Sequence, residues 1–95
     1  MSSAAFIKQW IHRNGNTSGT ADTAQTISFG KRTVVVLVDN RSTTHNLYLS
    51  ADGGTTFKTI DPGGSLSLEW LDAHECVIKS AGTSQAYEIM AGCLV

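Results

Sequence analysis

The feature that most constrains this chain is the even spacing of its turn signals. The runs between the turns are short and rich in β-branched and aromatic residues. Short strands separated by frequent turns are typical of a β-sandwich or barrel, so we expect an all-β, single-domain antiparallel β-sandwich of jelly-roll or immunoglobulin-like type, with about seven to eight short strands. The turn signals fall at Asn14–Asn16, Ser18–Thr20, Gly30–Lys31, Asp39–Ser42, Asp52–Gly54, Asp61–Gly64, Leu71–Ala73 and Ala81–Thr83.

Several runs alternate in the way a half-buried strand requires. In Ser65–Trp70 the three large apolar residues share one face and the polar residues share the other. In Asn46–Ser50 the same alternation places Tyr48 on the outside. Near the end of the chain, Cys76–Ser80 and Gln85–Gly92 are predicted to form a hairpin.

Two segments depart from this alternation. Thr33–Val38 is apolar on both faces, so this strand is either covered on both sides or packs its outer face against another subunit. The first segment, with apolar residues between Phe6 and Ile11, has the spacing of a helix but also fits a strand or an extended arm. We favour the extended form, and expect residues 1–22 to form an N-terminal segment and polar loop, a candidate docking arm, before a β-sandwich domain at residues 23–95.

Composition narrows the range of partners. The chain of 95 residues has seven basic and eight acidic residues and a net charge of −1, so it has no basic field for nucleic acid or an anionic bilayer. No run approaches the ~20 apolar residues of a membrane span. The N-terminus lacks the pattern of a signal peptide. We therefore expect a protein made in a cytoplasm, without nucleic-acid or membrane partners.

Ser50–Phe57 matches the Asp-box pattern, in which an aspartate and glycines shape a turn and an aromatic residue anchors it. A single copy of the motif indicates a structural turn rather than a binding site. The residues expected to shape this turn are Ser50, Asp52, Gly54, Thr56 and Phe57.

No pattern predicts catalysis, a cofactor or a metal. His74 and Cys76 have ligand-like spacing, but a zinc site needs three or four ligands. No nucleophile elbow is present, and the acidic residues are dispersed. In the predicted hairpin, Cys76 lies opposite Ile89, which leaves Cys93 roughly 13 Å away at the rise of a strand. A disulfide needs Cα atoms within about 7 Å, so we expect two unpaired, buried cysteines.

The order of several segments resembles a known group of proteins. These segments are Thr23–Ile27 after a polar loop, Lys31–Arg32 leading into Val34–Val38, Asn46–Tyr48, Pro62–Ser65, and Val77–Ser84 followed by Ala86–Ile89. Together they resemble small β-sandwich virion structural proteins of tailed bacteriophages, among which are head decoration (cement) proteins and fibre-associated proteins. The Asp-box turn departs from that pattern.

The resemblance implies a non-enzymatic virion protein. The first hypothesis is a capsid decoration protein that binds the outside of the shell as a homo-oligomer, with a trimer favoured, and whose partners are its own copies and the major capsid protein or another virion protein. The second is a lectin-like carbohydrate- or receptor-binding module of a fibre or tail, with Tyr48 and Trp10 as the sugar platform. The residues expected to make docking or oligomer contacts are Phe6, Ile7, Trp10, Ile11, Val34, Val36, Val38 and Tyr48.

Overall fold

The computed structural model describes residues 7–94, apart from the side chains of Trp70 and Leu71. This part of the chain contains no helix, and therefore none that is long and apolar enough to cross a membrane. It forms six antiparallel strands in one continuous sheet, in the order β1-β6-β2-β5-β3-β4. The strands are β1 (Gln9–Asn16), β2 (Gln25–Asn40), β3 (Leu47–Ser50), β4 (Lys58–Ile60), β5 (Ser65–Ser80) and β6 (Ala86–Cys93).

Two strands of 16 residues, β2 and β5, divide this sheet into two layers. The first half of β2 pairs with the second half of β5, which also pairs with β3. The second half of β2 pairs with the first half of β5 on one side and with β6 on the other. The first layer is thus β4, β3, late β5 and early β2. The second layer is early β5, late β2, β6 and β1.

The bend between the layers lies at an irregular stretch of β2. The register with β5 shifts between Ser28 and Thr33 and again before Val35. Gly30 has a φ of 76°, a conformation that glycine adopts without a steric penalty. The buried Thr33 hydroxyl donates a 2.7 Å bond to the Ala73 carbonyl across the bend. Bulges of this kind bend a strand and change which face its side chains occupy.

The core lies between the layers and draws side chains from all six strands. Full burial of a large aliphatic side chain stabilises the fold by roughly 1.5–3 kcal/mol, so this contact holds the layers together. Both cysteines are buried in the core and unpaired, as expected. The core residues are Ile11, Phe29, Val36, Val38, Leu47, Leu49, Ile60, Cys76, Ile78, Tyr87, Ile89, Ala91 and Cys93.

The fold class is all-β and antiparallel, as predicted, but the strands are fewer and two are much longer. The structure also corrects the proposed last hairpin, because late β5 and β6 do not pair. Cys76 pairs with Ile27, while Ile89 lies between Arg13 and Val38. The turn after Ser80 is therefore a crossover between layers. A short polar turn cannot by itself specify whether the strands that flank it share a layer.

The N-terminal segment belongs to the sheet from Gln9 onward. Strand β1 pairs with β6 along its whole length and forms one edge of the second layer. At this edge the Arg13 side chain donates a 3.3 Å hydrogen bond from Nε to the Ser28 carbonyl of early β2, which links the two layers. The spacing fitted a helix, a strand or an extended arm, and an extended form was predicted because the rest of the chain is β; from Gln9 onward the segment is a strand within the fold.

Candidate functional site

The three exposed large hydrophobic residues among those the structure describes lie on one surface. Trp10 is 41% exposed, Leu37 is 37% exposed and Leu94 is 45% exposed. Alternation along β1 and β2 directs Trp10 and Leu37 away from the core, on the outer side of the second layer, and Leu94 follows the core residue Cys93 at the end of β6. We call the surface formed by Trp10, Leu37, Met90 and Leu94 the outer patch.

Cross-strand register makes the outer patch continuous. Trp10 lies opposite Gly92, and Gly92 lies opposite Val35. Two residues further along β6, the half-buried Met90 lies opposite Leu37. From the spacing of strands and the rise per residue, the Cα atoms of Trp10 and Leu37 are about 12 Å apart, with Met90 between them. Apolar side chains therefore cover three adjacent strands without a charged residue between them.

Glycine at position 92 permits a close approach on this surface. A Cβ at Gly92 would lie 2.6 Å from Cγ1 of Val35 and 2.8 Å from Cδ1 of Ile7, closer than real atoms approach. Ile7 therefore packs over Gly92 beside Val35, whose side chain is only 1% exposed. The outer side of β2 is covered by its own chain at Val35 but remains accessible at Leu37.

Several predicted docking residues lie elsewhere. Ile11, Val36 and Val38 are core residues with exposures of 8%, 1% and 0%, so they are not available to a partner. Val34 is half-buried, and Phe6 lies outside the described residues. The bulge in β2 explains the error, because it reverses which side chains of the apolar run face inward.

Trp10 and Tyr48 do not form one sugar platform. Tyr48 belongs to β3 in the first layer, where it lies opposite Lys79 of β5. The Lys79 ammonium is 4.5 Å from the centre of the Phe57 ring and 5.9 Å from that of Tyr48. These distances suit cation–π contacts that hold both rings against the sheet. The structure thus separates the two aromatic residues into different layers.

The Asp-box turn between β3 and β4 is held by bonds within itself. Oδ1 of Asp52 accepts the Ser50 hydroxyl at 2.6 Å and the backbone N–H groups of Thr55 and Thr56 at 3.1 and 2.9 Å. The Ser50 hydroxyl in turn accepts the Gly54 N–H at 2.9 Å. Hydrogen bonds from Ser50, Thr56 and Thr55 lower the pKa of Asp52 to about 2. The carboxylate orders the turn.

Other reactive groups do not converge on a site. Within residues 7–94, no three metal-ligating side chains lie close enough together to hold an ion. Burial, with a smaller effect from Glu75, raises the pKa of the Cys76 thiol to about 12, which makes it a poor nucleophile.

Comparison with protein-family models and with curated protein sequences gives no match. Two solved structures are similar in fold. A de novo designed double-stranded β-helix has 15% identity and a TM-score of 0.46, covering 90% of this chain and 97% of that chain. A carbohydrate-binding module from Cellvibrio mixtus lichenase 5A, in complex with cellotriose, has 13% identity and a TM-score of 0.41, covering 95% and 92%. Neither likeness says what this chain binds.

The sequence analysis missed Leu37, Met90 and Leu94 as candidate contacts. The signal for Leu37 was present in the two-sided apolar run, since one of its faces had to point away from the core. Met90 and Leu94 carry no such signal, because their direction depends on the pairing of β6 with β1 and β2. The pairing of β6 with β1 and β2 requires the chain to cross between layers after Ser80, and the sequence did not predict that crossover.

Proposed function

We propose that this chain is a non-catalytic structural protein that self-associates through the outer patch. A single observation carries the proposal: the exposed Trp10, Leu37 and Leu94 share one sheet face. Interfaces combine an apolar centre with a polar rim, and tryptophan is among the side chains that contribute most to binding. Lys8, just before β1, and His12 within β1 flank Trp10 and supply part of such a rim.

The proposed partner is a second copy of the chain. A net charge of −1 produces little long-range repulsion between copies, so an apolar patch of this kind can associate at moderate concentration. A homo-oligomer, with a trimer favoured, is the arrangement expected for the decoration proteins that the sequence resembles. The proposed setting is accordingly the surface of a phage head, where the oligomer binds the major capsid protein.

The test of self-association compares molecular mass in solution by sedimentation equilibrium. The full chain is expected to form an oligomer at micromolar concentration, and Trp10→Ala with Leu37→Ser to shift it to a monomer. Tyr48→Ala is the matched control, because it removes an aromatic residue from the outer side of the first layer. A wild-type chain that stays monomeric at high micromolar concentration would contradict the proposal.

The virion role has its own test. The purified protein is mixed with phage heads from which decoration protein has been removed, and the heads are pelleted. Saturable co-sedimentation, at a fixed ratio to the major capsid protein, supports the capsid role. If the protein is oligomeric but does not pellet with any such heads, the self-association proposal stands and the virion role is contradicted.

A further inference from the structure

The outer side of the second layer changes character at the end away from Leu94. Beyond His12 most of the side chains are polar, and together with Ala86 and Tyr87 they line two adjoining clefts. One cleft of about 290 Å³ runs along the ends of β1 and β6, and the other, of about 410 Å³, lies beside the end of β2. Arg41 lines both. We call the surface formed by Asn14, Asn16, Asp39, Arg41, Ser65 and Glu88 the polar groove.

The central pair of the groove keeps hydrogen-bonding capacity. NH1 of Arg41 is 3.7 Å from Oε2 of Glu88, longer than a hydrogen bond, and the Arg41 side chain is 58% exposed. His12 Nε2 approaches the same carboxylate oxygen at 3.6 Å. The backbone N–H of Arg41 is fixed by a 3.0 Å bond to the Ala86 carbonyl. A guanidinium and a carboxylate are therefore held side by side and able to bind a ligand.

The groups at the two ends of the groove are oriented by bonds to the protein. Asn16 donates its side-chain N–H to the Ser84 carbonyl at 2.7 Å, which leaves its amide oxygen as an acceptor. In the other cleft Asp39 accepts a hydrogen bond from the Ser65 hydroxyl. Acceptors therefore lie toward both ends of the groove, with the Arg41 donor and the Glu88 acceptor at its middle.

The charge and shape of the groove select a class of ligand. Arg41 contributes +1, and Asp39 with Glu88 contributes −2, for a sum of −1 with His12 neutral. The net charge disfavours an anion, and the guanidinium between the two carboxylates weakens their attraction for a cation. The lining is mainly polar along β1 and β6 and mixed beside the end of β2, which suits a molecule that carries polar groups on an apolar frame. A ligand that both donates and accepts at every position, such as a sugar, matches this lining.

We propose that the polar groove binds a neutral saccharide of one or two units, with Arg41 donating to one hydroxyl and Glu88 accepting from its neighbour. The joined clefts reach the range of about 300–1,000 Å³ common for small-ligand sites. A few solvated hydrogen bonds without ring stacking give a dissociation constant on the order of 1 mM. The site does not depend on self-association, although an oligomer would raise its avidity toward a polymeric glycan.

The test is an NMR titration of the ¹⁵N-labelled full chain with cellobiose, lactose, maltose and N,N′-diacetylchitobiose, up to about 50 mM. Saturable amide shifts at Asn14, Arg41 and Glu88 support the proposal. Arg41→Ala and Glu88→Gln should each raise the dissociation constant about tenfold. Both side chains are solvent-accessible, so neither variant threatens folding.

Trp10→Ala is the control that separates this proposal from self-association. It should convert the oligomer to monomers and leave the saccharide affinity of each subunit unchanged. Arg41→Ala should weaken saccharide binding and leave the oligomer intact. No saturable shift with any of the four sugars would overturn the proposal. So would binding that Arg41→Ala leaves intact, or tighter binding of glucuronic acid than of glucose.

Discussion

Asn40 gives the sharpest test of how the turns are attached to the core. Its side chain is buried at the end of β2, with 2% exposure. The amide nitrogen contacts three carbonyl oxygens, of His45 and Ile60 at 2.9 Å and of Asp61 at 3.2 Å. Its amide oxygen accepts the Ser42 N–H at 3.0 Å. One side chain thus joins the segment after β2 to the segment after β4.

Asn40→Ala should lower the free energy of unfolding by about 3 kcal/mol. The two amide hydrogens and the amide oxygen satisfy backbone groups that are buried or partly buried, and each buried group left unsatisfied costs roughly 1–3 kcal/mol, less where water can reach it. A domain of this size has a free energy of unfolding of about 5–15 kcal/mol, so the variant should remain folded at room temperature. The midpoint of thermal unfolding should fall by about 12–24 °C, at about 4–8 °C per kcal/mol.

The assay is urea unfolding followed by circular dichroism, with Asn14→Ala as the control because Asn14 is exposed in β1. The free energy of unfolding of the control should differ from that of the wild type by no more than about 0.5 kcal/mol. Asn40→Asp preserves the acceptor for Ser42 but directs a carboxylate oxygen at three carbonyls, and should be at least as damaging as Asn40→Ala. Wild-type stability in Asn40→Asp would refute the role given to the amide donor.

Three further predictions concern the turn, the outer patch and the core. Because its pKa falls from 3.8 to about 2 on folding, Asp52 should add stability that is present above pH 4 and lost as the pH falls toward 2, and Asp52→Asn should flatten that part of a stability–pH profile. Gly92→Ala should displace Ile7 from Val35, and should increase hydrogen exchange at the start of β1 without changing the far-ultraviolet spectrum. The buried Cys76 thiol should react with Ellman's reagent only after unfolding, and fast reaction in the native state would contradict its packing.

Much of the fold was predictable because its local patterns agree with the final packing. In early β5 the half-buried Leu66 and Leu68 alternate with exposed polar residues, as the sequence predicted. The Asp-box turn follows from side chains within eight consecutive residues, so its geometry needs no distant partner. The unpaired state of the cysteines was also predicted, although the hairpin used to argue it does not form.

What the sequence could not provide was the pairing between distant strands. The chain on both sides of the last turn finds partners that are far away in sequence: Asp22 donates to the Ser80 carbonyl, and Thr17 donates to that of Gln85. Turn residues specify local backbone geometry, not which layer the next strand joins. The outer patch depends on this choice, since only the pairing of β6 between β1 and β2 brings Met90 and Leu37 together.

The two surfaces of the second layer follow from one structural feature, the bulge in β2. Before it, Phe29 faces the core from an odd-numbered position, and after it Val36 and Val38 face the core from even-numbered ones. Without that reversal, Leu37 would point into the core and an apolar neighbour would point to solvent. A deletion that restored a uniform register should therefore replace Leu37 in the outer patch by Val36 and Val38, which now face the core. The same change would turn Arg41 toward the core side. The polar groove therefore also depends on the bulge in β2.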